Sequence, residues 1–120
     1  MYVLDTCILI DYLRGIAQAQ SCFTLLNDKS ISIITWMEIL VGAKSEAESL
    51  FLRQFLQQFQ LISLDKTVSE QAVILRQQHR MRLPDAIIWA TAKVNHGKLV
   101  TRNTKDFASH HADVYIPYLL

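Results

Sequence analysis

Apolar residues fall into two rhythms along this chain. Short, mainly apolar runs occur at Tyr2-Val3-Leu4, Ile31 to Ile34, Leu61 to Leu64 and Leu99-Val100-Thr101. Runs of this length suit strands buried on both faces, as in a parallel sheet. Between them the apolar positions recur at helical spacing. Asp5 or Thr6 can cap a helix carrying Ile8, Leu9, Ile10, Tyr12 and Leu13, which should end near Gly15. Ala17 to Leu26 carries a weaker helical pattern, broken at Asn27-Asp28-Lys29. Thr35-Trp36-Met37-Glu38 matches a capping box at the head of a helix ending near Gly42.

Glu46 to Phe59 reads as an amphipathic helix, with Leu50, Phe51, Phe55 and Phe59 as core or subunit-contact residues. Asp65 should cap a helix from Lys66 to Arg80 with Val68, Ala72 and Leu75 inward. The segment after Pro84 and Asp85 is apolar almost all round, which predicts a buried helix. Gly97 is expected to supply the left-handed residue that ends it. Val114-Tyr115-Ile116 fits a last edge strand, stopped by Pro117. Strands alternating with helices predict an α/β domain with a mainly parallel central sheet.

Composition adds bounds. A length of 120 residues with 51% hydrophobic content suits a single domain, residues 1–120, with a full core. The net charge of +1 excludes a global basic field, so nucleic acid would have to bind a local patch. Cys7 and Cys22 do not make a disulfide framework, which fits a reducing, cytoplasmic location. No apolar run is long enough to span a bilayer, and Asp5 interrupts the first one, so neither membrane attachment nor a secretory signal is expected.

The candidate chemistry lies in the carboxylates. Asp5 follows the first strand, Glu38 lies at the head of the helix after the second, Asp85 opens the buried helix, and Asp106 follows the fourth strand. Parallel sheets place their sites at the carboxyl ends of strands. Crowded carboxylates repel unless cations compensate, and Mg²⁺ or Mn²⁺ prefers oxygen ligands. Such a site could activate water for phosphodiester cleavage. Each acid also has a structural explanation: Asp5 as an N-cap, Glu38 as part of the capping box. His79 and His96 read as isolated residues near helix ends, His110 and His111 as surface loop. Cys7 reads as a small buried residue. Of the basic residues flanking the acids, Arg14, Arg82 and Arg102 are the candidates for holding RNA phosphates.

In order along the chain, YVLDTCILIDYLRG, ITWMEILVGA, LPDAIIWATA and LVTRNTKDF resemble the motifs of PIN-domain nucleases, and more closely their VapC-type bacterial toxin branch. The resemblance covers nearly the whole chain. It implies a three-layer α/β/α sandwich and a Mg²⁺-dependent endoribonuclease in which Mn²⁺ can substitute. It assigns Asp5, Glu38 and Asp85 as the first three acids, with Asp5 and Asp85 as metal ligands. Many relatives carry an acid where this chain has Asn103, so Asp106 becomes the fourth acid and Asn103 a supporting residue. Thr6 and Thr101 are expected to orient carboxylates or water. The resemblance further implies products ending in 5′-phosphate and 3′-hydroxyl, an RNA substrate (a transfer RNA among the candidates), a VapB-like antitoxin and a homodimer. Contacts to either protein partner could come from Ile8, Leu9, Tyr12, Leu13, Phe51 and Phe55. A phosphatase or phosphoacceptor using Asp5, and a non-catalytic interaction module of the same fold, are the competing readings.

Overall fold

The computed structural model describes residues 1–108 and 110–120. The chain runs β1 (Tyr2–Leu4), α1 (Thr6–Leu13), α2 (Ala17–Leu25), β2 (Lys29–Ser32), α3 (Ile33–Val41), α4 (Glu46–Leu56), β3 (Gln60–Ile62), α5 (Lys66–Gln78), α6 (Leu83–Val94), β4 (Lys98–Val100) and β5 (Val114–Tyr115). The strands form one sheet in the order β3-β2-β1-β4-β5, and every pairing is parallel. Val3 and Leu99 face one core with Leu75, Ile88 and Trp89 of α5 and α6. Their neighbours Leu4 and Val100 face the other core, with Ile8, Phe23, Ile39 and Leu56 of α1 to α4. That alternation along each strand makes three layers, helices on both faces of the sheet. Among the described residues no helix is long and apolar enough to cross a membrane.

The buried helix is as its apolar content requires. From Asp85 to Ala92, α6 is buried without a break. Pro84 stands at its first turn, where a missing N–H costs nothing. Asp65 accepts from the Val68 amide and caps α5, whose Val68, Ala72 and Leu75 are inward as the spacing requires.

Several expectations need correction. The α3 helix starts at Ile33, because Ser32 caps it by accepting from the Ile34 amide. Thr35 therefore lies inside the helix, and the capping box with Glu38 does not form. The α4 helix is turned so that Leu52 and Leu56 are buried while Leu50 and Phe51 are 63% and 60% exposed. Phe55 and Phe59 do pack inward, against Phe23. The left-handed residue after α6 is His96, at φ 55°, not Gly97. Gly97 serves close approach: a Cβ there would lie 2.9 Å from the Met1 carbonyl oxygen. His79 is not isolated either, since its ring packs on Trp89 and His111.

Candidate active site

The sheet order reverses beside β1, since the chain builds outward to β2 and β3 and then crosses to β4 on the other side. Such a switch point opens a crevice at the carboxyl ends of the two diverging strands. Asp5 follows β1 and Thr101 follows β4 at that place. The Asp5 amide still donates to the Val100 carbonyl at 2.8 Å, so the strands part just beyond it.

Asp5 is both the N-cap of α1 and a carboxylate of the site. Its Oδ1 accepts from the Thr6 amide at 2.8 Å. Its Oδ2 accepts from the Thr101 hydroxyl at 2.7 Å and from the Cys7 thiol at 3.6 Å. The residue is 5% exposed. Burial pushes its carboxyl up to about 6; the Thr101 hydrogen bond opposes that push and the charge of Asp85 adds to it. Burial beside Asp5 also pushes the Cys7 thiol up to about 11, so Cys7 carries no thiolate chemistry near neutral pH.

Each of the other candidate acids is linked to Asp5, by charge or through a shared neighbour. Asp85, in the first turn of α6, is buried and accepts from Arg82 Nε at 3.2 Å. Arg82 is exposed, and its guanidinium is held charged by Asp85 first, with Glu38 and Asp106 contributing. It is thus a shared counter-charge for three carboxylates. Glu38 accepts from the Thr6 hydroxyl at 2.7 Å, and the Thr35 hydroxyl lies 3.1 Å from that of Thr6. Asn103 Nδ2 donates to Asp106 at 2.9 Å, and the Asn103 amide donates to the Thr101 hydroxyl at 3.0 Å. A continuous chain of hydrogen bonds therefore runs from Asp5 through Thr101 and Asn103 to Asp106.

Two of the candidate phosphate ligands stay on the surface and one does not. Arg14 is exposed and shares an open cleft of about 490 Å³ with Glu38 and Phe51. Arg82 borders a second cleft with Asp106. Arg102 instead turns inward to Asp11, its Nη2 donating to Oδ1 at 3.0 Å and its Nε to Oδ2. Tyr118 donates to the same Oδ2 at 2.8 Å. That guanidinium is engaged by Asp11 in the free protein. Asp11 lies three residues after Ile8 on the inward face of α1, and that spacing was the available signal for its burial. Thr35 and Tyr118 had no comparable signal. Ile8 and Leu9 are wholly buried core residues, so of the apolar positions expected at a partner surface only Phe51 is substantially exposed.

Among the described residues, no three His, Cys, Asp or Glu side chains stand together as a preformed metal cage. The donor chemistry nevertheless fits a hard divalent cation. Asp5 and Asp85 are buried oxygen donors, the charge of Asp85 disfavours that of Asp5, and Mg²⁺ needs only one or two carboxylates, with water completing its shell.

The family model for the PIN domain matches residues 2–111. A solved toxin–antitoxin complex from Klebsiella pneumoniae contains a chain 40% identical to this one, covering 100% of both chains with a TM-score of 0.93. FitAcB from Neisseria gonorrhoeae aligns over 100% of both chains at 24% identity and a TM-score of 0.81. DNA-bound VapBC from Salmonella typhimurium aligns over 98% of both at 21% identity and a TM-score of 0.80. These last two share the fold. No curated protein matches the sequence significantly.

Proposed function

The chain belongs to the PIN domain family, and from that membership we propose that it is the VapC-type toxin of a toxin–antitoxin pair, acting as a Mg²⁺-dependent endoribonuclease. The observation that carries this reading is Asp5, a buried carboxylate at the switch point whose charge is disfavoured by burial and by Asp85. Near neutral pH that arrangement costs the folded protein stability, which fits a site kept for a bound cation. The similarity to a chain of the Klebsiella pneumoniae toxin–antitoxin complex supports the toxin assignment.

Asp5 and Asp85 would hold the cation, with Glu38 reaching it directly or through water. When bound, Mg²⁺ or Mn²⁺ supplies neutralisation of the charge that develops on the phosphate and a lowered pKa for a bound water. The chain's own groups do the positioning. Thr101 and the Thr6 amide fix the two Asp5 oxygens. The Thr6 hydroxyl fixes Glu38. Asn103 fixes Asp106, which orients the attacking water in line with the leaving 3′-oxygen. Cleavage then leaves a 5′-phosphate and a 3′-hydroxyl. Arg82 pairs with Asp85 in the free protein, and its exposed guanidinium would be free to turn to a substrate phosphate. The cleft with Arg14, Glu38 and Phe51, lined also by Ile10, Leu13 and Leu52, has the apolar character suited to an antitoxin helix. A homodimer is part of the same reading.

The test is cleavage of a total small-RNA pool by purified, antitoxin-free protein in Mg²⁺, Mn²⁺ or EDTA, with Asp85→Asn in parallel after its fold is checked. Discrete fragments from the wild type with metal alone support the reading. Equal cleavage by Asp85→Asn, or none under any metal, would sink it.

A further inference from the structure

The acidic crevice is flanked by two clefts of different chemistry. One sets apolar side chains beside two cations, Arg14 and Lys44, and two carboxylates, Glu38 and Glu48. The other, about 650 Å³, is lined by Arg76, Arg80, Met81, Arg82, Lys105 and Asp106. Met81, the apolar residue on this lining, is 5% exposed. Arg76, Arg80, Arg82 and Lys105 are all exposed. Among the described residues, Arg76, Arg80 and Lys105 take part in no ion pair, and Asp106 is the one carboxylate on the lining. On a chain of net charge +1 that is a strong local concentration of cations. It comes from separate segments, the last turn of α5 with the residues that follow it and the loop after β4, so no single helix face explains it.

The cleft is continuous with the acids through two shared residues. Arg82 lines it and bonds Asp85. Asp106 lines it and ends the hydrogen-bonded chain from Asp5. We infer that the Arg76–Arg80–Lys105 cleft binds the phosphodiester backbone of the RNA on one side of the scissile bond, and so fixes from which side the strand enters the acidic crevice. This rests on the nuclease reading for its scissile bond, and on the cleft alone for its phosphates. Long, unpaired cations around an open groove suit a phosphate backbone read without base contacts. The cleft across the acids, where apolar side chains adjoin charges of both signs, is left for protein.

The test measures binding apart from cleavage. A fluorescein-labelled single-stranded RNA oligonucleotide is titrated with protein in EDTA by fluorescence anisotropy, over a range of KCl concentrations. The variants are Arg76→Gln with Arg80→Gln, and, as a charge-matched control, Lys66→Gln with Lys98→Gln at the other end of α5 and of the sheet. Both doubles are first shown to match the wild-type thermal midpoint. Each phosphate contact contributes about 0.7 to the slope of log affinity against log salt for a single strand. Loss of two contacts should flatten that slope by about 1.4 and weaken binding roughly tenfold at low salt. The control double should keep the wild-type slope. An unchanged slope in the Arg76/Arg80 double, an equal loss in the control, or no RNA binding by the wild type overturns the inference. Salt-dependent binding lost in the Arg76/Arg80 double, with no cleavage in Mg²⁺, would sink the nuclease reading while leaving this cleft in place.

Discussion

Arg102 and Asp11 are joined by two hydrogen bonds in a nearly buried ion pair, Nη2 to Oδ1 at 3.0 Å and Nε to Oδ2, with the Asp11 side chain 3% exposed. Burial works to raise the Asp11 carboxyl, and the bonds from Arg102 and Tyr118 outweigh it, holding the group below the ordinary range. The pair ties α1 to the loop after β4, and Tyr118 ties the C-terminal segment to both. Asp11→Ala leaves Arg102 uncompensated. Breaking a buried pair costs about 3–5 kcal/mol, and partial exposure of Arg102 should bring this nearer about 2–3 kcal/mol. Tyr118→Phe, which removes one bond to a charged acceptor, should cost about 1.5 kcal/mol. Urea unfolding midpoints measure both; an Asp11→Ala midpoint equal to wild type would show that the pair contributes nothing.

Asp5 behaves oppositely. Its folded-state pKa stands above its ordinary 3.8, at about 6. A raised carboxyl binds its proton more tightly in the folded state, so its contribution is fully present below about 3.8 and lost as pH rises through about 6. The shift corresponds to about 3 kcal/mol. Metal-free protein should lose stability across that window, and Asp5→Asn should flatten the profile and be more stable than wild type at pH 7. Saturating Mn²⁺ should restore the wild type and do little for Asp5→Asn. Thermal midpoints between pH 4 and pH 7.5 in EDTA check the sign: a profile rising through this window in the wild type, and equally in Asp5→Asn, would reverse the assignment.

The positions of Asp5 and Asp85 were legible because each lies at an element boundary that local pattern fixes: an apolar strand before Asp5, an all-apolar helix after Asp85. Strand order was not, because short apolar runs such as Tyr2 to Leu4 carry no mark of which neighbour they pair with. The partner of Arg102 is not legible for the same reason. Sequence shows that a guanidinium stands beside the site, not that Asp11, 91 positions away, claims it. Glu38 failed locally, since two capping residues, Ser32 and Thr35, competed for one helix start and the one nearer the strand end prevailed. The rotation of α4 was lost because Leu50, Phe51, Leu52, Phe55 and Leu56 allow two overlapping apolar stripes, and only packing chooses between them.

Gly97 offers a test of backbone approach. A methyl group there would sit 2.9 Å from the Met1 carbonyl oxygen, where main chain cannot yield as a flexible side chain can. Lys98 also donates to that same carbonyl at 3.1 Å. Gly97→Ala should therefore push β4 from β1 at its start and cost about 1–3 kcal/mol, although alanine is favourable at most exposed positions. A denaturation midpoint within error of wild type would mean the two segments can separate without loss.

Thr101 joins the stability of the site to its function. Its hydroxyl donates to Asp5 Oδ2 at 2.7 Å and accepts from the Asn103 amide at 3.0 Å. Thr101→Val keeps the shape and removes both bonds. Asp5 then loses the largest of the interactions that oppose its burial, so its pKa should climb further, by about one unit for each 1.4 kcal/mol of lost bonding. A proton held more tightly competes better with a divalent cation. Mn²⁺ affinity at pH 7, read by calorimetry, should fall roughly tenfold and recover as pH is raised. RNA binding in EDTA should not change, because the phosphate-binding cations lie elsewhere. Turnover should fall with little change in KM for RNA, and Thr101→Ser, which keeps the hydroxyl, should restore it. A Thr101→Val protein that binds Mn²⁺ as wild type does at pH 7 would separate Thr101 from the acids and leave it a structural residue of the β4 end.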